Sequence, residues 1–294
     1  MSIVLRHSHV QVRVDSSGEL YQGTRFDRAC PIIELEYQGH EISAPEDLRQ
    51  PEHPGLGRGL VNEFGIDGPL GFAQARPGDW VHKIGVGLIQ KEEGPYDIHH
   101  LYRVRPATFS HQLSGKVIQS VCHGQPHDGY AYRLEKIITL LEDGLELVYQ
   151  LHNLGEKTIQ TEEYNHNFVA LGAGKIGPAY TLHLAFSLQP QAFDEVVNPQ
   201  TIVQMGEKHL HFADTPKTPF FFSNLSAGAM VPASWELHNK QTGLILTETA
   251  DFKTQKINLW GSGHVISPEL FFAIRLESGQ SVNWRRRYQL KSTD

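Results

Sequence analysis

The sequence predicts an all-β protein, a single large antiparallel β-sandwich domain over residues 1–294. Three observations carry this. Apolar residues recur with a period of two in run after run, tight-turn residues separate the runs (Gly 27, Pro 16), and helical periodicity is nearly absent. No internal repeat at a propeller or solenoid period and no low-complexity linker divides the chain, which favours one sandwich over two domains.

The elements follow in order. His9–Val14 alternates, and the chain turns at Asp15–Gly18. Pro31–Tyr37 is an apolar run closed by Gln38 and Gly39. The stretch 49–60, RQPEHPGLGRGL, is rich in Gly and Pro and reads as a long ordered connection. Ala131–Leu140 and Leu145–Leu151 are strand patterns joined by Glu142, Asp143 and Gly144, with Asp-Gly marking a hairpin tip. Gly243–Glu248 and Leu270–Leu276 continue the theme. The turn Glu277–Gln280 leads into Ser281–Leu290, which puts Val282, Trp284, Tyr288 and Leu290 on one face. Arg286 falls on that same apolar face and calls for a buried acid as partner. Phe220–Phe222 reads as core filling, with a ligand-stacking or dimer-forming loop as the weaker reading.

Bulk properties exclude several classes. The chain has 294 residues, 39% of them hydrophobic and 20% charged, as in ordinary globular proteins. Mean hydropathy is −0.35, and no apolar run approaches the ~20 residues that span a bilayer. Residues 1–14 alternate like a strand and lack the basic start and apolar block of a signal peptide, so the expected compartment is the cytoplasm. Net charge is −7, and the one basic cluster, Arg285–Arg287, lies within a strand pattern. Nucleic acid is therefore not an expected partner. Two cysteines, Cys30 and Cys122, without a CxxC, read as buried thiols.

The stretch with the most chemistry is Thr161–Leu171, TEEYNHNFVAL. A regular strand here places Tyr164, His166, Phe168 and Ala170 on one face. An imidazole between aromatic rings must still satisfy two ring nitrogens, and Asn165 and Asn167 flank it. A structural, hydrogen-bonded His is the plain alternative. Later, Trp260 precedes two glycines, and Glu269 follows Pro268 at the mouth of an apolar strand. Trp260 offers a flat apolar face, and Glu269 is either a solvated edge residue or a functional base. Among the 17 histidines, His7/His9 and His209/His211 each share a strand face. No Cys or carboxylate completes a metal site locally, so neither a metal nor a cofactor is expected.

These residues carry a resemblance. The chain resembles the aldose 1-epimerase (galactose mutarotase-like) superfamily over most of residues 10–290. Asn165-His166 resembles that family's catalytic His strand, and Glu269 before the closing strand resembles the region of its catalytic Glu. Tyr149–Gly155 resembles its Y-x-L-x-N-x-G approach. The family's Asn-Arg-Ile motif has Thr24–Asp27 as its nearest match here, and its Asn-His-x-x-His-Gly segment is replaced by Val61–Ile66 and Val81–Gly87. The chain is thus more similar to the epimerase-like branch than to the galactose enzyme. The resemblance implies a large antiparallel supersandwich and cofactor-independent interconversion of sugar anomers. It implies Glu269 as general base and His166 as general acid.

Around them Arg25, Glu63, Lys83, Asn165 and Trp260 are candidate sugar-binding residues. Arg25 has a second reading as partner of Asp27, and Glu63 and Lys83 as partners of each other. A sugar lyase or keto-sugar eliminase on the same fold, and a non-catalytic carbohydrate-binding domain, remain open. The expected partner is a small-molecule sugar, with neither nucleic acid nor membrane, and a homodimer is left open.

Overall fold

In the computed structural model, residues 2–15 and 18–293 are described; Ser16 and Ser17 of the expected turn lie outside them. Among the described residues, the strands form two ten-stranded sheets and one three-stranded sheet. The only helical elements among the described residues are two short 3-10 turns, Pro190–Ala192 and Pro199–Thr201. The period-two pattern explains this. Long strands of the second sheet bury one face against the opposite sheet, as in Ser281–Ser292, where Trp284, Arg286, Tyr288 and Leu290 alternate with more exposed positions.

The first large sheet carries the central strand Ile159–Asn167, paired antiparallel with Leu60–Phe64 on one side and Val265–Leu276 on the other. Having neighbours on both edges and cover on both faces, its last five residues are all buried. The second sheet contains the hairpin foreseen at Asp143-Gly144, with Tyr130–Leu140 paired to Gly144–Asn153, and Ser281–Ser292 beside it. The three-stranded sheet, beginning with Trp80–Lys83, is not hydrogen-bonded into either large sheet and packs against them, with Lys83 reaching Glu63. Gly59 admits the chain to Leu60–Phe64 at φ +72, where a Cβ would sit 2.2 Å from the Ile32 carbonyl oxygen. Only glycine tolerates both the backbone angle and the approach.

The inter-sheet core is apolar around Leu134, Ile138, Leu147, Leu151 and Leu246. Through it runs a buried polar network. Arg286 donates to Glu163 Oε2 at 2.7 Å and to Glu248 Oε1 at 2.9 Å. Lys136 and Tyr149 donate to Asn62 Oδ1 at 2.9 and 2.7 Å, and Asn62 donates to Glu163 at 2.6 Å. The buried acid required by Arg286 is therefore two carboxylates, one from each sheet. All of these charges are paired, which is the condition for tolerating them out of water.

Candidate active site

The parity of the central strand decides which side chains meet. Its even-numbered residues, Glu162, Tyr164 and His166, face away from the second sheet. Odd-numbered Glu163, Asn165 and Asn167 face into the inter-sheet network. On Val265–Leu276, Ser267, Glu269 and Phe271 share the outer face with His166. His166 Nε2 lies 3.3 Å from Glu269 Oε1. Ser267 Oγ lies 3.0 Å from His166 Nδ1 and 3.4 Å from Glu269 Oε1. The imidazole stacks on Phe168 at 4.1 Å, and Trp260 meets it edge-on at 5.4 Å.

Both members of the pair are 3% exposed. Burial pushes the Glu269 carboxyl up to about 8, against the pull of the Arg25 charge. Burial, and then Arg25, hold His166 well below the usual imidazole range. At neutral pH these directions put a proton on Glu269 and leave His166 neutral. One hydrogen-bond pattern satisfies all three groups: Nδ1–H donates to Ser267 Oγ, and the carboxyl hydrogen faces Nε2. This differs from the protonation expected of a Glu base and His acid. Low dielectric penalises a separated ion pair, so the proton settles where both partners are uncharged.

Arg25 lies beside the pair. Its Nε donates to Glu63 Oε2 at 2.7 Å and its Nη2 to the Tyr164 hydroxyl at 3.0 Å. It does not pair with Asp27. Asp27 instead accepts from the Ala29 amide at 2.7 Å and has Lys136 at 3.9 Å. Glu63 and Lys83 face each other at 3.1 Å, both fully buried. Lys83 and Arg25 outweigh burial and hold Glu63 below the usual carboxylate range. Burial lowers Lys83 even with Glu63 beside it.

Of the residues read from the sequence, the structure brings together His166, Glu269, Trp260 and Arg25. Glu63 and Lys83 form a buried ion pair beneath Arg25, and their charged ends face each other instead of open space. Asn165 is a correction. Its amide donates to the Tyr288 hydroxyl at 2.5 Å on the opposite face of the strand, so it belongs to the network behind the site. Its odd parity relative to His166 dictates this. Asn167 likewise bonds Glu248 and the Pro268 carbonyl. Ser267 and Tyr164 are the polar groups that the sequence reading did not assign. Ser267 lies two residues before Glu269, and that spacing on a strand marks a shared face.

Among the described residues, no group of three His, Cys, Asp or Glu side chains is arranged to hold a metal ion. His209 and His211 are ring neighbours at 5.6 Å, and both cysteines are buried and free.

No protein-family model matches this sequence, and no curated protein matches it. The fold is that of galactose mutarotase-like proteins. A putative aldose 1-epimerase from Escherichia coli K12 is similar with a TM-score of 0.62 and 10% identity, over 99% of each chain. A galactose mutarotase-like protein from Lactobacillus casei gives 0.59 at 13% identity, over 99% of this chain and 100% of the other. One from Clostridium acetobutylicum gives 0.60 at 11%, over 99% and 95%. No helix of the described residues is long and apolar enough to cross a membrane.

Proposed function

We propose that the chain is an aldose 1-epimerase-like enzyme that interconverts sugar anomers by general acid–base ring opening and closing. The observation that carries the reading is the His166–Glu269 contact at 3.3 Å, between two groups whose proton affinities are shifted in opposite directions. Anomerisation needs one group that takes a proton and one that gives a proton, on the same ring. A neutral imidazole and a protonated carboxyl hold one proton between them, which is the required state.

The steps balance on that single proton. His166 Nε2 accepts the proton of the anomeric hydroxyl as Glu269 delivers its own to the ring oxygen. The bond from C1 to the ring oxygen breaks, and a free aldehyde forms. Rotation about C1–C2 presents the other carbonyl face. The former ring hydroxyl then attacks C1, Glu269 recovers its proton, and the imidazolium returns one to the carbonyl oxygen. These resting roles reverse those the family resemblance implies. Each group serves as acid and base in turn, because closure runs the same transfers backward. Ser267 keeps the ring nitrogens in register, Trp260 provides an apolar face for the pyranose, and Arg25 is placed to donate to a sugar hydroxyl.

The test is polarimetry on freshly dissolved, anomerically pure hexoses. The chain accelerates the decay of optical rotation, and His166→Asn removes ~10²–10⁴-fold of the enhancement. A His166→Asn rate equal to that of the unmodified protein overturns the proposal. A lyase would instead generate a new unsaturated product. A binding domain would keep its sugar affinity in the variant and show no turnover.

A further inference from the structure

The outer face of the central strand continues beyond the His166–Glu269 pair into a cavity. The pairing register runs His166, then Tyr164 opposite Phe271, then Glu162 opposite Ala273, then Gln160 opposite Arg275. Tyr164 and Phe271 stack at 4.5 Å and separate the two places. From His166 to Glu162 is about 13 Å, at ~3.3 Å per strand residue. There a cavity of about 790 Å³ opens, with Gln160, Glu162, Ala273 and Arg275 as its floor and Phe72 and Tyr96 in its wall. Small-molecule sites typically occupy ~300–1,000 Å³.

The chemistry of the lining indicates what it holds. Phe72 and Tyr96 meet edge to face at 5.4 Å, so aromatic surface lies beside planar polar side chains. That combination suits a pyranose, whose C–H face packs on a ring while its equatorial hydroxyls bond to amides, carboxylates and guanidinium groups. The charges offset one another: Lys91 and Arg275 stand against Asp67 and Glu162. Glu162 is paired with Lys256 at 2.8 Å, and Arg275 with Glu277 at 2.9 Å. A neutral ligand fits this balance better than a phosphate or a sugar acid. Tyr96 reaches from the cavity to the Lys83–Glu63 ion pair that lies beneath Arg25. Its ring lies 5.1 Å from Lys83 Nζ, and its hydroxyl is buried without a hydrogen-bond partner among the described residues.

We propose that this cavity is a second carbohydrate-binding site, taking a neutral pyranose unit from an oligosaccharide. The proposal deepens the anomerisation reading and rests on it only for the source of the sugar. The unit is either the distal part of a chain whose reducing end sits on His166 and Glu269, or a separate saccharide.

Calorimetric titration with maltotriose, cellotriose and glucose tests the site on the unmodified protein and on two variants. Ala273→Trp fills the floor, and Gln160→Ala removes an exposed amide without adding bulk. At least one trisaccharide binds tenfold or more tightly than glucose, and each variant weakens it by about tenfold. If one chain spans both places, the trisaccharide-to-glucose ratio of kcat/KM for anomer exchange falls with Ala273→Trp in step with the affinity. If the sugar is separate, affinity falls and that ratio holds. Both results support the cavity as a sugar site. Trisaccharide affinity no greater than that for glucose, or affinity unchanged in both variants, overturns it. Absence of anomer exchange in the unmodified protein counts against the proposed activity alone, since the titration reads the cavity without it.

Discussion

Replacing Glu269 with Gln should change how the stability of this fold depends on pH. The carboxyl sits among Arg25, Ser267, His166 and Phe271, 3% exposed, and burial raises it from 4.5 to about 8. A raised carboxyl binds its proton more tightly in the folded chain than in the unfolded one. Its contribution is therefore fully present below about 4.5, shrinks as pH rises through about 8, and is then exhausted. At ~1.4 kcal/mol per tenfold change in proton affinity, the whole span corresponds to roughly 5 kcal/mol. That is a large share of the ~5–15 kcal/mol that holds an ordinary domain folded. Gln keeps the shape and cannot ionise. Urea unfolding of both proteins at half-unit steps from pH 5 to pH 9 gives the comparison. The unmodified chain loses stability across the window relative to the variant, by several kcal/mol at pH 9. His166 is lowered in the folded chain and keeps its ordinary value of 6.5 when unfolded, so it raises stability with pH up to that point; both proteins carry it, and subtracting the two curves removes its contribution. Parallel curves would refute the argument, showing that Glu269 is ionised and solvated in the folded protein.

Two other expectations follow from the same charges. Anomer exchange requires exactly one proton on the His166–Glu269 pair, so the rate should hold across neutral pH and fall tenfold per pH unit above about 8. A rate that rises through pH 8 to 9 in stopped-flow polarimetry would contradict this. Arg286→Met leaves Glu163 and Glu248 facing each other's charge with no guanidinium between them, all fully buried. The expected loss is ~3–5 kcal/mol by urea unfolding, and a loss under ~1 kcal/mol would mean the network is not closed to water.

Fold class was legible because strand alternation is local. Asp143-Gly144 marked the hairpin, and Val282, Trp284, Tyr288 and Leu290 marked the buried face of the last long strand, with Arg286 among them. The face of the central strand was legible too, since Tyr164, His166 and Phe168 share it by parity alone. Asn165, read as a candidate sugar-binding residue beside His166, has the opposite parity, and the structure turns it toward Tyr288. The sequence offered Glu63 and Lys83 as partners of each other as one of two readings, but which partners meet across long separations is settled only by the fold. Glu63 meets Lys83 and Arg25 only because Leu60–Phe64 lies next to the central strand and the three-stranded sheet folds over it. The Asn62–Lys136–Glu163–Arg286–Glu248 network draws one residue at a time from five strands, and no local pattern announces it. The protonation of the pair was hidden for a related reason. It depends on how completely both groups are withdrawn from water, which only packing determines.

The most direct test is ¹⁵N NMR of the His166 imidazole at pH 7 in the substrate-free protein, assigned with His166→Asn. The account predicts a neutral ring, with one nitrogen protonated toward Ser267 and the other bare toward Glu269. Two protonated nitrogens, the signature of an imidazolium against an ionised Glu269, would contradict it.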